Sequence, residues 1–142
     1  MSDFPIVKAT PEEAIYVDSQ LTDFVCEQVP FTQQQNQVFL NYVIKEDGVV
    51  IAGINADLYY WGMLYISEVF VNAKFRGRRL GSQLLERVEN EARKLGGTLS
   101  HCDTFDFLFK DFYLKHGYNI FGILEDCPSG HQRYYLSKKL FK

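Results

Sequence analysis

Nothing in this 142-residue sequence approaches the unbroken apolar run of about 18 residues that a membrane-spanning helix requires. Its start, Met-Ser-Asp-Phe-Pro, lacks the basic-then-apolar pattern of a signal peptide. Cysteine is scarce: Cys26, Cys102 and Cys127 are odd in number and far apart, which excludes a disulfide framework and a C-x-x-C metal pair. The three histidines, His101, His116 and His131, do not fall at the close spacing of a ligand cluster, so no metal is expected. Positive charge is not in excess either. Fifteen Lys plus Arg against 18 Asp plus Glu give a net charge of −3, which argues against a nucleic-acid or anionic-membrane binder because either needs a positive field. These deficits point to a cytoplasmic protein with reduced thiols, and its length to one domain over residues 1–142. Aromatic residues, by contrast, are abundant at 15%, enough for a core or cleft built largely from rings.

The patterning changes period along the chain. Phe4 to Lys8 reads as a short first strand, and Pro11 behind the cap candidate Thr10 opens a helix that runs to about Val29, where Pro30 stops it. Val38–Lys45 alternates, Glu46-Asp47-Gly48 turns the chain, Val49–Tyr60 returns, and Trp61-Gly62 leads into Met63–Val71. These runs form an antiparallel meander. Leu80, Leu84, Leu85, Val88, Ala92 and Leu95 then share one helical face, and Gly96-Gly97 ends that helix. Thr98–Thr104 is strand-like, a short helix spans about Leu108–His116, and Tyr118–Glu125 with Gln132–Leu140 makes a closing hairpin. A strand–helix–strand crossover over 63–104 places two strands parallel. The expected class is therefore α/β: a mixed sheet with an antiparallel N-terminal meander, a central crossover and a C-terminal hairpin.

The segment between the third strand and the long helix carries the chemistry. Arg76, Gly77, Arg78, Arg79, Gly81 and Ser82 sit where a strand feeds a helix start, whose first amides lack intrahelical partners and carry partial positive charge. Glycines admit close approach, and arginines pair with anionic oxygens, so a phosphate or diphosphate suits this turn. An ordinary basic strand–helix loop is the other reading. Neither a G-x-x-x-x-G-K-[ST] loop nor a G-x-G-x-x-G turn is present.

Val71-x-x-x-x-Arg76-Gly77-x-x-x-Gly81 resembles the acetyl-CoA motif of the GNAT superfamily of N-acetyltransferases, with Arg79 standing where that motif has its inner glycine. Phe112-Tyr113-Leu114-Lys115-His116-Gly117-Tyr118 is similar to the family's F-Y-x-K-x-G-[FY] helix end, and the order of elements agrees over nearly the whole chain. The resemblance implies that the strand splays after Val69 and that the backbone of Val69, Phe70 and Val71 cradles the pantetheine arm of acetyl-CoA. An N–H near Phe70 or Val71 would polarise the thioester carbonyl. Amides from Arg76 to Ser82 would then hold the diphosphate, and Tyr113 matches the tyrosine that protonates the departing thiolate.

Acyl transfer to an amine also needs a base, because an alkylammonium with a pKa near 10.4 is neutral in only about one molecule in 2,500 at pH 7. Glu68 is the candidate, read as the lone carboxylate on the strand face of Leu64, Ile66 and Phe70, where burial would raise its pKa. The expected function is N-acetylation of a small-molecule primary amine by direct transfer in a ternary complex. Its acceptor groove is read as formed by the N-terminal helix, Tyr59-Tyr60-Trp61 and the last hairpin. The alternatives are a non-catalytic acyl-CoA sensor or subunit of the same fold, and a protein-amine acetyltransferase. An RNA- or anion-binding domain built on Arg76, Arg78 and Arg79 is disfavoured by the net charge. No nucleic acid or membrane is expected as a partner, while Trp61 and Phe141, read as exposed aromatics, suggest a homodimer.

Overall fold

The computed structural model is described over residues 3–141 and divides into two compact units, one ending at Phe31 and the other starting at Thr32. The first unit holds helix α1 (Pro11–Gln28). A reciprocal cap starts it: the Glu13 amide donates to Thr10 Oγ1 at 3.2 Å, and the Thr10 amide donates to Glu13 Oε1 at 2.9 Å. The strand expected over 4–8 is absent; this stretch is irregular, with Pro5 removing one ladder donor.

Among the described residues, the second unit is a seven-stranded sheet with two α-helices. Strands β1 (Gln37–Phe39) and β2 (Tyr42–Glu46) both pair with β3 (Val49–Tyr59), which pairs with β4 (Met63–Val71). The sheet continues through β5 (Leu99–Phe105) and β7 (Gln132–Lys139) to the edge strand β6 (Asn119–Glu125). Every pairing is antiparallel except β4 with β5, the pair joined by helix α2 (Leu80–Lys94). The mixed sheet, the meander, the crossover and the terminal hairpin are thus as expected. A tighter turn than expected joins β2 to β3: Asp47 and Gly48 both take positive φ, 49° and 78°, which suits the twist of a two-residue hairpin.

The run read as one strand over 38–45 is broken at Leu40-Asn41. There the Asn41 side chain accepts the Ala56 amide at 3.0 Å, and Leu40 drops into the core. A β-bulge in β4 has larger consequences. Asn55 pairs with Glu68 but Ala56 pairs with Ile66, so Ser67 is an extra residue. Its hydroxyl donates to Asn55 O at 3.0 Å.

The core lies between the sheet and α2. Leu84, Leu85, Val88 and Ala92 pack with Ile54, Leu58, Leu64, Ile66, Cys102 and Leu136. Within it sits one polar network. The Glu89 carboxylate is buried and accepts bonds from Lys138 Nζ (3.0 Å to each oxygen) and Tyr118 OH (2.9 Å). Tyr118 OH in turn bonds the Ser100 hydroxyl at 2.7 Å. Helix α3 (Lys110–Lys115) follows β5 and carries Tyr113 into this core.

Candidate functional site

The site begins at the turn into α2. The first backbone bond of that helix runs from Gln83 N–H to Arg79 O at 3.0 Å, leaving the amides of Leu80, Gly81 and Ser82 without intrahelical partners. Arg79 precedes them with a left-handed backbone (φ 61°, ψ 24°), the conformation glycine adopts without strain. A cleft of about 190 Å³ opens against these groups, lined by Val69, Val71, Arg76, Gly77, Arg79 and Gly81–Ser82, with Phe112 as a wall. A Cβ on Gly81 would lie 3.3 Å from the Phe112 ring and 3.7 Å from Val71, so the missing side chain keeps the cleft open. Arg76 Nε donates to Val71 O at 3.2 Å, holding its guanidinium against the end of β4. Arg78 instead lies over the Phe75 ring and is not among the lining residues. His116 Nε2 contacts the Ser82 hydroxyl at 2.9 Å, tying α3 to the turn.

From here the cleft continues into a fork in the sheet. The parallel ladder between β4 and β5 ends at Ile66 opposite Cys102. Beyond that rung β4 stays with β3 and β5 stays with β7, so their facing edges part. The parting therefore starts three residues before the expected Val69, because the bulge at Ser67 turns β4 away. A space of about 360 Å³ fills the fork, lined by Glu68, Phe70, Asp103 and Tyr113 among others. It shares Val69, Val71, Arg76 and Phe109 with the first cleft, so the two form one groove.

The structure corrects the reading of Glu68. The extra residue at Ser67 reverses the alternation, so Glu68 leaves the face of Leu64 and Ile66 and is exposed. Its carboxylate accepts from Asn55 Nδ2 at 3.1 Å. The burial expected to make it basic is not there, although it still lines the fork. Phe70 is likewise exposed, whereas Val69 and Val71 are half-buried and packed against the core.

Tyr113 reaches the fork from the side of the core. Only 3% of it is exposed, and burial pushes its phenol up, with the Cys102 thiol and Asp103 adding to the shift. Cys102 itself is buried and pushed up to about 12, mainly by burial, so its thiol is inert at neutral pH. Alternation on β5 puts His101, Asp103 and Phe105 on the face opposite Cys102.

On that opposite face, Asp103 is the residue the sequence reading missed. Its Oδ2 accepts from Tyr65 OH at 2.9 Å. Its Oδ1 accepts from Arg133 Nε at 3.0 Å and also from Arg133 Nη2. Arg133 is held between the Phe105 and Tyr135 rings. The available signal was a single carboxylate alternating against Cys102 on a strand. His131 is engaged by Asp106 at 2.9 Å. The Tyr60-Trp61 turn joins β3 to the start of β4, the opposite end from the parting, and Trp61 is half-buried rather than exposed. Among the described residues no cluster of His, Cys, Asp and Glu is arranged to hold a metal, and no helix is long and apolar enough to cross a membrane.

The sequence pattern of the acetyltransferase (GNAT) family matches residues 8–118. The chain belongs to this family. A blasticidin-S acetyltransferase from Streptomyces morookaense is 32% identical to this GNAT protein over 105 residues, 73% of this chain and 76% of its own. The crystal structure of an acetyltransferase from Bacillus cereus superposes with a TM-score of 0.89 at 28% identity, covering 96% of this chain and 97% of that one. An aminoglycoside 6′-N-acetyltransferase solved with coenzyme A shares the fold, with a TM-score of 0.66 at 15% identity over 97% and 98% of the two chains. The forked sheet and the bare amides at the start of α2 thus belong to a GNAT acetyltransferase.

Proposed function

We propose that this GNAT protein moves an acetyl group from acetyl-CoA to the primary amine of a small molecule while both substrates are bound, with residues 1–142 acting as one domain. The observation that carries this reading is the single groove joining the unpartnered amides of α2 to the parted edge of β4 and to Tyr113. Relatives named for blasticidin S and for aminoglycosides support a small-molecule acceptor, and the one solved with coenzyme A supports the donor. Free thiols at Cys26, Cys102 and Cys127 are in keeping with action in the cytoplasm.

The groove's residues fit the donor. A diphosphate would lie on the amides of Leu80, Gly81 and Ser82, with Arg76 and Arg79 beside it. The two pantetheine amides need partners, and the β5-facing edge of β4 past Ile66 offers an unpaired strand. An amide near Phe70 or Val71 would polarise the carbonyl. When bound, the thioester supplies an acyl carbon open to attack.

The chain's own groups manage the protons. An ammonium acceptor gives up two as its nitrogen–carbon bond forms and the carbon–sulfur bond breaks: one passes from the nitrogen to the departing sulfur, the other leaves to solvent. Glu68, at the solvent side of the fork, takes the latter directly or through water. Tyr113 lines the fork from the side of the core, with its hydroxyl against the Cys102 thiol, and would meet the sulfur there. A phenol raised by burial is a weaker acid than a thiol of ordinary pKa near 8.5, so it steadies the leaving sulfur by donating a hydrogen bond while keeping its own proton. Calorimetric titration with coenzyme A, followed by thiol release from acetyl-CoA across a panel of amines, tests the reading. Saturable binding and amine-dependent release are expected; absence of coenzyme A binding by folded protein refutes it.

A further inference from the structure

We infer that Asp103 is the acceptor-binding carboxylate: it holds the acceptor's ammonium nitrogen at the fork, a task separate from the proton removal assigned to Glu68. This rests on the acetyltransferase reading of the groove and names the residue that selects a cationic acceptor. Three observations lead to it. Asp103 is the first residue of β5 past the last rung shared with β4, so it stands where the sheet opens. It lines the fork together with Tyr113 and Glu68. Alternation sets it on the face opposite Cys102, so carboxylate and buried phenol approach the gap from opposite sides of the sheet.

Its hydrogen bonds define what it can still accept. A carboxylate offers about four lone-pair positions. Tyr65 OH fills one on Oδ2, and Arg133 Nε and Nη2 fill two on Oδ1. One position on Oδ2 remains, enough for a single N–H from an ammonium group. Tyr65 on β4 and Arg133 on β7 fix the carboxylate from both neighbouring strands, so the remaining lone pair is held in place before any ligand arrives. The same pairing already engages Asp103 with the Arg133 guanidinium, so proton removal is left to another carboxylate. Glu68 has no such cation, only the Asn55 amide, and is free for that step.

Two thioethers of coenzyme A test this without knowledge of the natural acceptor: S-(2-aminoethyl)-coenzyme A, which carries an ammonium group beside the sulfur, and the near-isosteric S-propyl-coenzyme A. The wild-type protein is expected to bind the first about tenfold more tightly, the size of one hydrogen bond to a charged group. Asp103→Asn should abolish that preference while leaving affinity for coenzyme A unchanged, and Glu68→Gln should keep it. Tyr65→Phe frees a second position on Oδ2 while Arg133 still holds the carboxylate through Oδ1, so it should keep the preference and stands as the measurement should Asp103→Asn fail to fold. Equal wild-type affinity for the two thioethers overturns the inference. So does a preference that survives Asp103→Asn, follows Glu68, or disappears in Tyr65→Phe. A wild-type protein that binds no coenzyme A derivative overturns the acetyltransferase reading itself, and with it this inference.

Discussion

Replacing Tyr113 by Phe removes one oxygen from the buried wall of the fork and separates an enzyme from a protein that only binds acyl-CoA. The stability cost should be small. The hydroxyl faces the Cys102 thiol, a weak hydrogen-bonding partner, so its loss costs at most about 1 kcal/mol. The ring stays wedged against Phe112 and Tyr118, each with centroids 5.3 Å away. Turnover should suffer far more. Losing one donor aimed at developing charge in a dry site costs about 2.7–4 kcal/mol, or roughly 10²–10³ in kcat. Because the interaction strengthens as the sulfur leaves, KM for acetyl-CoA should stay within about threefold. Thiol release with the best amine of the panel measures both constants, and thermal unfolding checks the fold. A variant whose kcat stays within about threefold of wild type would refute the assignment and reduce Tyr113 to a packing residue.

Other consequences follow from groups around the groove. Lys138→Met should destabilise by about 3–5 kcal/mol, because it leaves the Glu89 carboxylate buried with only Tyr118 as partner, while adding Glu89→Met should recover most of that loss in urea unfolding. Stability should fall with rising pH above about 9. Tyr113 and Tyr118 are pushed up by burial and Cys102 reaches about 12, so the unfolded chain releases protons that the folded one keeps, at up to about 1.4 kcal/mol per pH unit for each of the three. Cys102→Ala should make urea midpoints measured between pH 9 and 11 fall less steeply. Arg79→Gly should raise the unfolding temperature, relieving a left-handed arginine worth about 1 kcal/mol, yet weaken coenzyme A binding in calorimetry by removing a cation from the cleft.

What could be read from the sequence is what is encoded locally. The switch from alternation over Val49–Val71 to a 3.6-residue period over Leu80–Leu95 marks the β4–α2 junction, and the basic turn lies there for the same reason. The strand expected at 4–8 failed because a few apolar residues make a strand only when a partner edge is available. Arg79 shows the limit of reading a motif by residue type: the turn keeps the left-handed backbone of a glycine site although glycine is gone. Asp103 was missed for a different reason. It is one acidic residue in a strand until Tyr65, 38 positions earlier, and Arg133, 30 positions later, converge on it.

The bulge at Ser67 connects these points. No residue type announces it, yet one inserted position decides on which side of the sheet a carboxylate lies. In a regular β4, Glu68 would follow Ile66 beneath α2, where a charge without a partner costs several kcal/mol. The insertion turns it outward and at the same place tilts β4 off β5, so the reversal of Glu68 and the opening of the fork have a common cause. A GNAT chain that lost this extra residue would lose both at once: the parted edge that suits a pantetheine arm, and the carboxylate facing it.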